Sequence, residues 1–501
     1  MRFSAAAFVL AACALGACSQ RHDPSPLATP APATPSPAPT WSPGERAGLQ
    51  HAMASIFSDD ITQDGSGIAV VAADGTRLFE RRALVPVTPA STLKLLVAAS
   101  ALDAMGPQHR FETRFVAAAP PDASGTVRGG IWLVGGGDPS LTSDQLRNGV
   151  AALWQSGVRR IDGPLEVDDS AFSGPEQNPR WDPSDLTYDY AAGTSAISLD
   201  DDTVQFDVEP DPAGGAARIS VVPANESISF TGRIASGGSS SFVTIVRKPE
   251  TPHVGTDPAR APEPRNEYVV DGNVAQGDPQ RLLEPVLGMP GYVGGAAAAM
   301  FAQRGIGLAG GFRAGVAPLD AVTLWAHRSA PLADLVHEML VNSNNHTAEQ
   351  LLRILGETSG HAGTDAAGIA VEKRQLSQLH VPRDHMAVYD ASGLAPADKI
   401  MPLTLVKLLA AQARSPYGSV YVRSLPRAGI EGTVQRRDLH DALGRTRAKS
   451  GHIENVNGLA GYVQTRHHGR IAFAFEVNGP RANADVVYEE EDNALDTLSD
   501  F

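Results

Sequence analysis

Residues 88–106 read T-P-A-S-T-L-K-L-L-V-A-A-S-A-L-D-A-M-G. Leu93, Leu95, Leu96, Val97, Leu102 and Met105 point to every side of a helical projection, so a helix here has no polar face to offer water. Such a segment belongs in the middle of a domain, and the rest of that domain has to wrap around it. Gly106, with Pro107 just beyond, marks its end. Ser91 and Lys94 stand one turn apart at its start. A serine hydroxyl does little at its free pKa and needs a base in reach. A lysine three residues on projects from nearly the same face and serves as that base when burial or a second cation holds it partly neutral. Unpaired N–H groups at the helix N-terminus favour developing negative charge. Taken alone, S-x-x-K is short and common, and a capping serine with a snorkelling lysine explains it equally well.

At 501 residues the chain is too long for one ordinary core. A formal charge of −15 and the lack of any basic run exclude a nucleic-acid surface. The first seventeen residues join one cation to an apolar run, the pattern of an export signal and too short for a membrane span. They lead into Leu15-Gly16-Ala17-Cys18, which is similar to the bacterial lipobox, so Cys18 is expected to carry lipid and anchor the chain to a membrane. Residues 19–44 are a Pro/Ala-rich tether that buries no core. Cys13 and Cys18 are the two cysteines, so the mature chain is expected to have no internal disulfide although the export signal implies an oxidising compartment, expected to be the periplasm.

Folding is expected from about residue 45, with a helix over Glu45–Phe57 and a hairpin around Asp74-Gly75. From Phe111 to Trp325 the texture changes to short strands between Gly/Pro/Asp turns, with one helix over Asp144–Gln155, which reads as inserted β-rich material splitting a catalytic domain in two. Gly305, Gly307 and Gly310 match G-x-G-x-x-G but follow a helix-like stretch and open none, so no nucleotide site is assigned. Helical periodicity returns from Pro331, is broken at Asn342-Ser343-Asn344-Asn345, and resumes at Ala348. That break is either a connecting turn or a set of side chains presented to a cleft. Near the C-terminus Lys449-Ser450-Gly451 lies in a strand-like run, followed by a hairpin around His467-His468-Gly469. A glycine in a strand marks close approach of a ligand's backbone, or a bulge. None of the fourteen histidines forms a metal motif, and no metal or cofactor is expected.

Ser91/Lys94, Ser343/Asn345 and Lys449/Ser450/Gly451 are thus S-x-x-K, S-x-N and K-S-G in the order of the penicillin-recognising serine enzymes. Each is weak alone; the order, the placement and the export signal make the set specific. P-A-S-T-L-K-L-L-V-A-A-S-A-L, G-G-G-D-P-S-L, D-A-S-G-L and L-P-R-A-G-I-E-G-T-V extend it. Over residues 45–501 the chain resembles the D-alanyl-D-alanine carboxypeptidase/endopeptidase family, the low-molecular-mass class C penicillin-binding proteins.

The resemblance implies an α+β fold: a split DD-peptidase/β-lactamase-like domain, antiparallel sheet with helices, over 45–112 and 326–501. It implies two inserted, mainly β domains, one over 113–140 and 191–325 and a smaller one over 141–190. It implies Ser91 as nucleophile and Lys94 as its base, Ser343 with Lys449 relaying a proton to the leaving amine, and Asn345 holding the substrate amide. Lys449, Ser450 and Gly451 would form the carboxylate-binding strand, and the backbone N–H groups of Ser91 and His452 the oxyanion hole. The expected partners are peptidoglycan stem peptides, with β-lactam antibiotics as covalent inhibitors. K-S-G in place of K-T-G keeps the hydroxyl, and His452 in place of the family's threonine keeps the backbone donor. D-A-S-G-L-A-P, Asp390 to Pro396, has lost the arginine of D-G-S-G-L-S-R, which unsettles recognition of an acidic side chain on the substrate. A β-lactamase or esterase on the same fold, and a non-catalytic wall scaffold, remain as alternative readings; ampicillin turnover and release of D-alanine separate them.

Overall fold

The structure, a computed structural model, describes residues 41–62, 65–248 and 266–501. Cys18, the signal-like segment and nearly all of the tether lie outside the described residues. The first helix is Pro43–Ile56, starting two residues earlier than expected. Ser42 accepts from Glu45 N and Glu45 returns the bond to Ser42 N, and proline at the first helical position suits the missing N–H.

The apolar segment is buried as expected. Every residue from Lys94 to Leu102 is buried in the α-helix Lys94–Met105, which closes at Gly106 with φ 80°. Its start is different: Ser91 lies in a 3₁₀ turn, Ala90–Leu93, and the α-helix begins at the lysine.

Five antiparallel strands stand beside this helix in the order Thr446–Ile453, Val456–Gln464, Arg470–Asn478, Gly67–Ala72, Arg77–Arg81. Strand alternation sends Ala69, Val71, Ala460, Tyr462, Ala472 and Ala474 to the face that meets the buried helix and the helices Leu332–Asn342, Asn345–Gly360 and Pro402–Gln412. Ile68, Val70, Leu459, Val463, Phe473 and Phe475 go to the other face, under Pro43–Ile56 and the last helix, Asp485–Asp500. Cover on both faces explains why Gly67–Ala72 is apolar throughout.

The stretch between these parts has its own apolar core and sheets. Its largest sheet runs Phe312–Ala314, Leu165–Asp168, Ile131–Val134, Glu112–Ala117, Val322–Arg328, and mixes parallel with antiparallel pairing. The expected separate domain at 141–190 does not follow this sheet. Leu165–Asp168 pairs with Ile131–Val134 on one side and Phe312–Ala314 on the other, and Leu165 and Val167 share the core of the surrounding segments. The stretch also holds a second long helix, Met289–Arg304, beside Ser143–Gln155. The G-x-G-x-x-G glycines are structural here: Gly305 ends that helix at φ 81°, and Gly307-Leu308 pairs with Arg160-Ile161.

Candidate active site

The 3₁₀ turn is held by close backbone packing on two sides. Ala90 takes a left-handed φ of 47°. Gly451, in the strand Thr446–Ile453, approaches so closely that a Cβ there would stand 2.6 Å from Pro89 O and 3.0 Å from the backbone nitrogens of Ser91 and Thr92. On the opposite side a Cβ on Gly393 would overlap the Ala90 carbonyl, and φ of 77° further favours glycine. The backbone that Gly451 admits is the protein's own turn rather than a ligand's, and neither close approach was anticipated.

Lys94 has no exposed surface. Its Nζ is 2.8 Å from Ser91 Oγ, 2.7 Å from Asn345 Oδ1 and 2.8 Å from the Ser392 carbonyl. As an ammonium it donates to all three. As a neutral amine it donates to Asn345 and Ser392 and turns its lone pair to the Ser91 hydroxyl. Burial brings its pKa down to about 7, against the opposing pull of the Asp390 and Glu349 carboxyls. Of the two means the sequence left open, burial or a second cation, burial is the one that tunes this lysine. Lys449 is also fully buried and is held well below its ordinary range, first by burial and then by the charge of Lys94.

The break between the two helices is a presenting turn. Ser343 takes a left-handed φ of 59° at the end of Leu332–Asn342, and Asn344 caps Asn345–Gly360 by accepting from Thr347 N at 2.8 Å. Ser91, Ser343, Asn345 and His452 line one cavity of about 580 Å³, with Tyr190, Asp182, Asp185 and Glu454 also on its wall. Ser450 Oγ lies 2.7 Å from Thr433 Oγ1, which brings the segment L-P-R-A-G-I-E-G-T-V to the site. Two expected contacts take another form. Asn345 Nδ2 donates to the Tyr190 carbonyl at 2.8 Å, so its amide is already engaged on both sides. Lys449 Nζ donates to the Ser450 carbonyl rather than to Ser343, and His452 and Ile453 are the strand's residues on the cavity wall.

Sequence reasoning missed Glu349, Asp390, Ser392 and Thr433. D-A-S-G-L carried the signal, but it was weighed for the arginine it lacks rather than for the lysine it holds. A serine hydroxyl against a buried lysine whose pKa burial lowers, open to a cavity, is the equipment of a serine acyl-transfer enzyme.

The comparisons with known proteins agree. The D-Ala-D-Ala carboxypeptidase 3 (S13) family matches residues 49–500, and the chain belongs to that family. It is 30% identical over 442 residues to the D-alanyl-D-alanine carboxypeptidase of an Actinomadura strain, covering 85% of this chain and 80% of that one. It is 25% identical over 437 residues to D-alanyl-D-alanine carboxypeptidase DacB of Haemophilus influenzae, covering 85% and 89%. The crystal structure of penicillin binding protein 4 from the same organism superposes with a TM-score of 0.75 at 22% identity, over 90% of this chain and 99% of the other.

Proposed function

We propose that this enzyme, a serine-type D-Ala-D-Ala peptidase, cleaves peptidoglycan stem peptides through an acyl-enzyme on Ser91. Neutral Lys94 takes the Ser91 proton as Oγ attacks the penultimate D-alanine carbonyl, and Asn345 and the Ser392 carbonyl hold the amine in line. The N–H groups of Ser91 and His452 receive the oxyanion, a contribution of roughly 3–4 kcal/mol per donor in serine enzymes. Ser343, with the charge of Lys449 nearby, passes a proton to the leaving amine, and D-alanine departs. Water then hydrolyses the ester and restores the hydroxyl. Ser450 meets the substrate carboxylate, while Lys449 supplies positive charge from behind. An arriving carboxylate raises the pKa of that buried amine, so binding draws a proton onto it. A β-lactam places an amide and a carboxylate in like relation and stops at the ester. Cys18 and the Pro/Ala tether would hold this body to a membrane while leaving it free to reach the wall; Cys18→Ser releases it from the detergent phase if that is so.

The observation that carries the reading is Lys94 Nζ at 2.8 Å from Ser91 Oγ in a site that buries the amine. Incubation with benzylpenicillin should add one penicilloyl mass, on the peptide containing P-A-S-T-L-K, and a pentapeptide ending in D-Ala-D-Ala should release D-alanine. Ser91→Ala should abolish both while the fold persists, since the change costs about 1 kcal/mol. A wild-type chain that takes up no adduct, or a Ser91→Ala chain that does, refutes it.

A further inference from the structure

One fully buried side chain ties the central stretch of the chain to the catalytic lysine. Asp390 Oδ1 accepts from Gly393 N at 2.8 Å; Asp390 Oδ2 accepts from Ala395 N at 2.8 Å and from Trp181 Nε1 at 2.9 Å. Three N–H donors facing one side chain suit an acceptor-only carboxylate. Two of the bonds fold the loop 390–395 on itself, and the third arrives from 209 residues earlier. Trp181 packs there with Ala191, Leu394 and Ala395, while Asn178 donates to the Tyr389 carbonyl at 2.8 Å. Glu349 grips the same loop from the helix Asn345–Gly360, accepting from Ala391 N at 3.1 Å and Ser392 N at 2.8 Å. The product of this bracing is one atom, the Ser392 carbonyl oxygen bonded to Lys94.

We propose that Asp390 is a positioning residue for proton transfer at Lys94: its carboxylate fixes the Ser392 carbonyl and faces the amine with buried negative charge, and Trp181 of the central stretch holds that carboxylate in place. The proposal rests on the Ser91–Lys94 reading above. The charged groups around Lys94 are Lys449 from the strand, Glu349 from the helix and Asp390 from the loop, with Glu372 and Asp398 behind them. Burial pushes the carboxyls of Glu349, Glu372 and Asp398 upward, the last to about 11, and the Asp390 charge adds to each. Asp390 and Glu349 are the two carboxyls that pull on the Lys94 ammonium, and Asp390 pulls harder. Removing it should lower the Lys94 pKa, so that the neutral, active amine appears at lower pH.

The test is the rate of penicillin acylation against pH for the full chain, its Asp390→Asn variant and its Trp181→Phe variant. Wild type should give the Ser91 adduct, which checks the underlying reading separately. Asp390→Asn should move the acid limb of the profile down by about one pH unit and lower the plateau. A folded Asp390→Asn chain with a lower plateau but an unmoved limb overturns the proposal, because a purely structural role predicts that pattern. Trp181→Phe keeps every charge and an aromatic ring, and removes the N–H donor with the pyrrole part of the indole. It should leave the limb in place and slow the plateau about fivefold. Should Asp390→Asn fail to fold by circular dichroism, an unchanged rate in Trp181→Phe overturns the proposal by itself.

Discussion

Gly451→Ala puts one methyl group between the strand and the nucleophile's turn. Alanine suits a strand better than glycine by about 0.5–1 kcal/mol, so secondary-structure preference alone predicts a stabler protein. The packing predicts the reverse. The added carbon would stand 2.6 Å from Pro89 O and 3.0 Å from the backbone nitrogens of Ser91 and Thr92. All three atoms are backbone, so no side chain can swing aside. Restoring an ordinary contact of about 3.4 Å moves turn and strand apart by about 0.8 Å. Overpacking of this kind costs about 1–3 kcal/mol, which outweighs the strand preference. The larger effect should be on rate, because the same displacement separates Ser91 N from the His452 side of the site, and an error approaching 1 Å costs on the order of 10²-fold. Penicillin acylation followed by stopped flow, together with thermal unfolding, reads both effects. Gly48→Ala is the control: its Cβ meets nothing within 4 Å in the exposed face of Pro43–Ile56, so it should add about 1 kcal/mol and leave acylation alone. Acylation within threefold of wild type in Gly451→Ala would refute the close-approach reasoning.

Acylation should rise with pH through about 7, tenfold per unit below it, because only neutral Lys94 accepts the serine proton and its folded pKa is brought down to that value; a rate that is flat from about pH 5 to 8 contradicts the role. Lys449→Ala should cost on the order of 2–5 kcal/mol in acylation by a substrate with a free carboxylate and little by its amidated counterpart, measured as kcat/KM on the two peptides. Arg437 is buried between Glu491 at 2.6 Å and Asp492 at 3.2 Å, so Arg437→Ala should destabilise the protein by about 3–5 kcal/mol in thermal unfolding by stranding those carboxylates.

The parts of the site that were legible in the sequence are those whose meaning is local. Ser91 and Lys94 share a face because of helical spacing, and an apolar run with no polar side has one place to go. D-A-S-G-L marked the segment, but the part Asp390 plays in it was opaque because its partner Trp181 is 209 residues away. Of the helix Met289–Arg304 only the A-A-A-A-M-F-A-Q-R end was legible as helix-like, because the glycines of G-Y-V-G-G weaken the helical signal at its start. The structure supplies the reason for one of those glycines: a Cβ on Gly294 would stand 2.8 Å from the Phe312 ring. The partition of the central stretch failed for a similar cause. Leu165–Asp168 is four residues long, and nothing within four residues says which strands it pairs with.

The pairing of Gly67–Ala72 with Arg470–Asn478 fixes the order in which this enzyme can come into being. Gly67 lies opposite Glu476, so the sheet stays open on that side until nearly the whole chain is present. Lys449, Ser450 and Gly451 lie on a strand that joins this sheet through the same C-terminal meander. The serine and its lysine are made early and close together, yet they have no opposite wall until the last strands arrive. A chain interrupted between Lys94 and those strands carries the nucleophile and its base without the strand that packs against their turn.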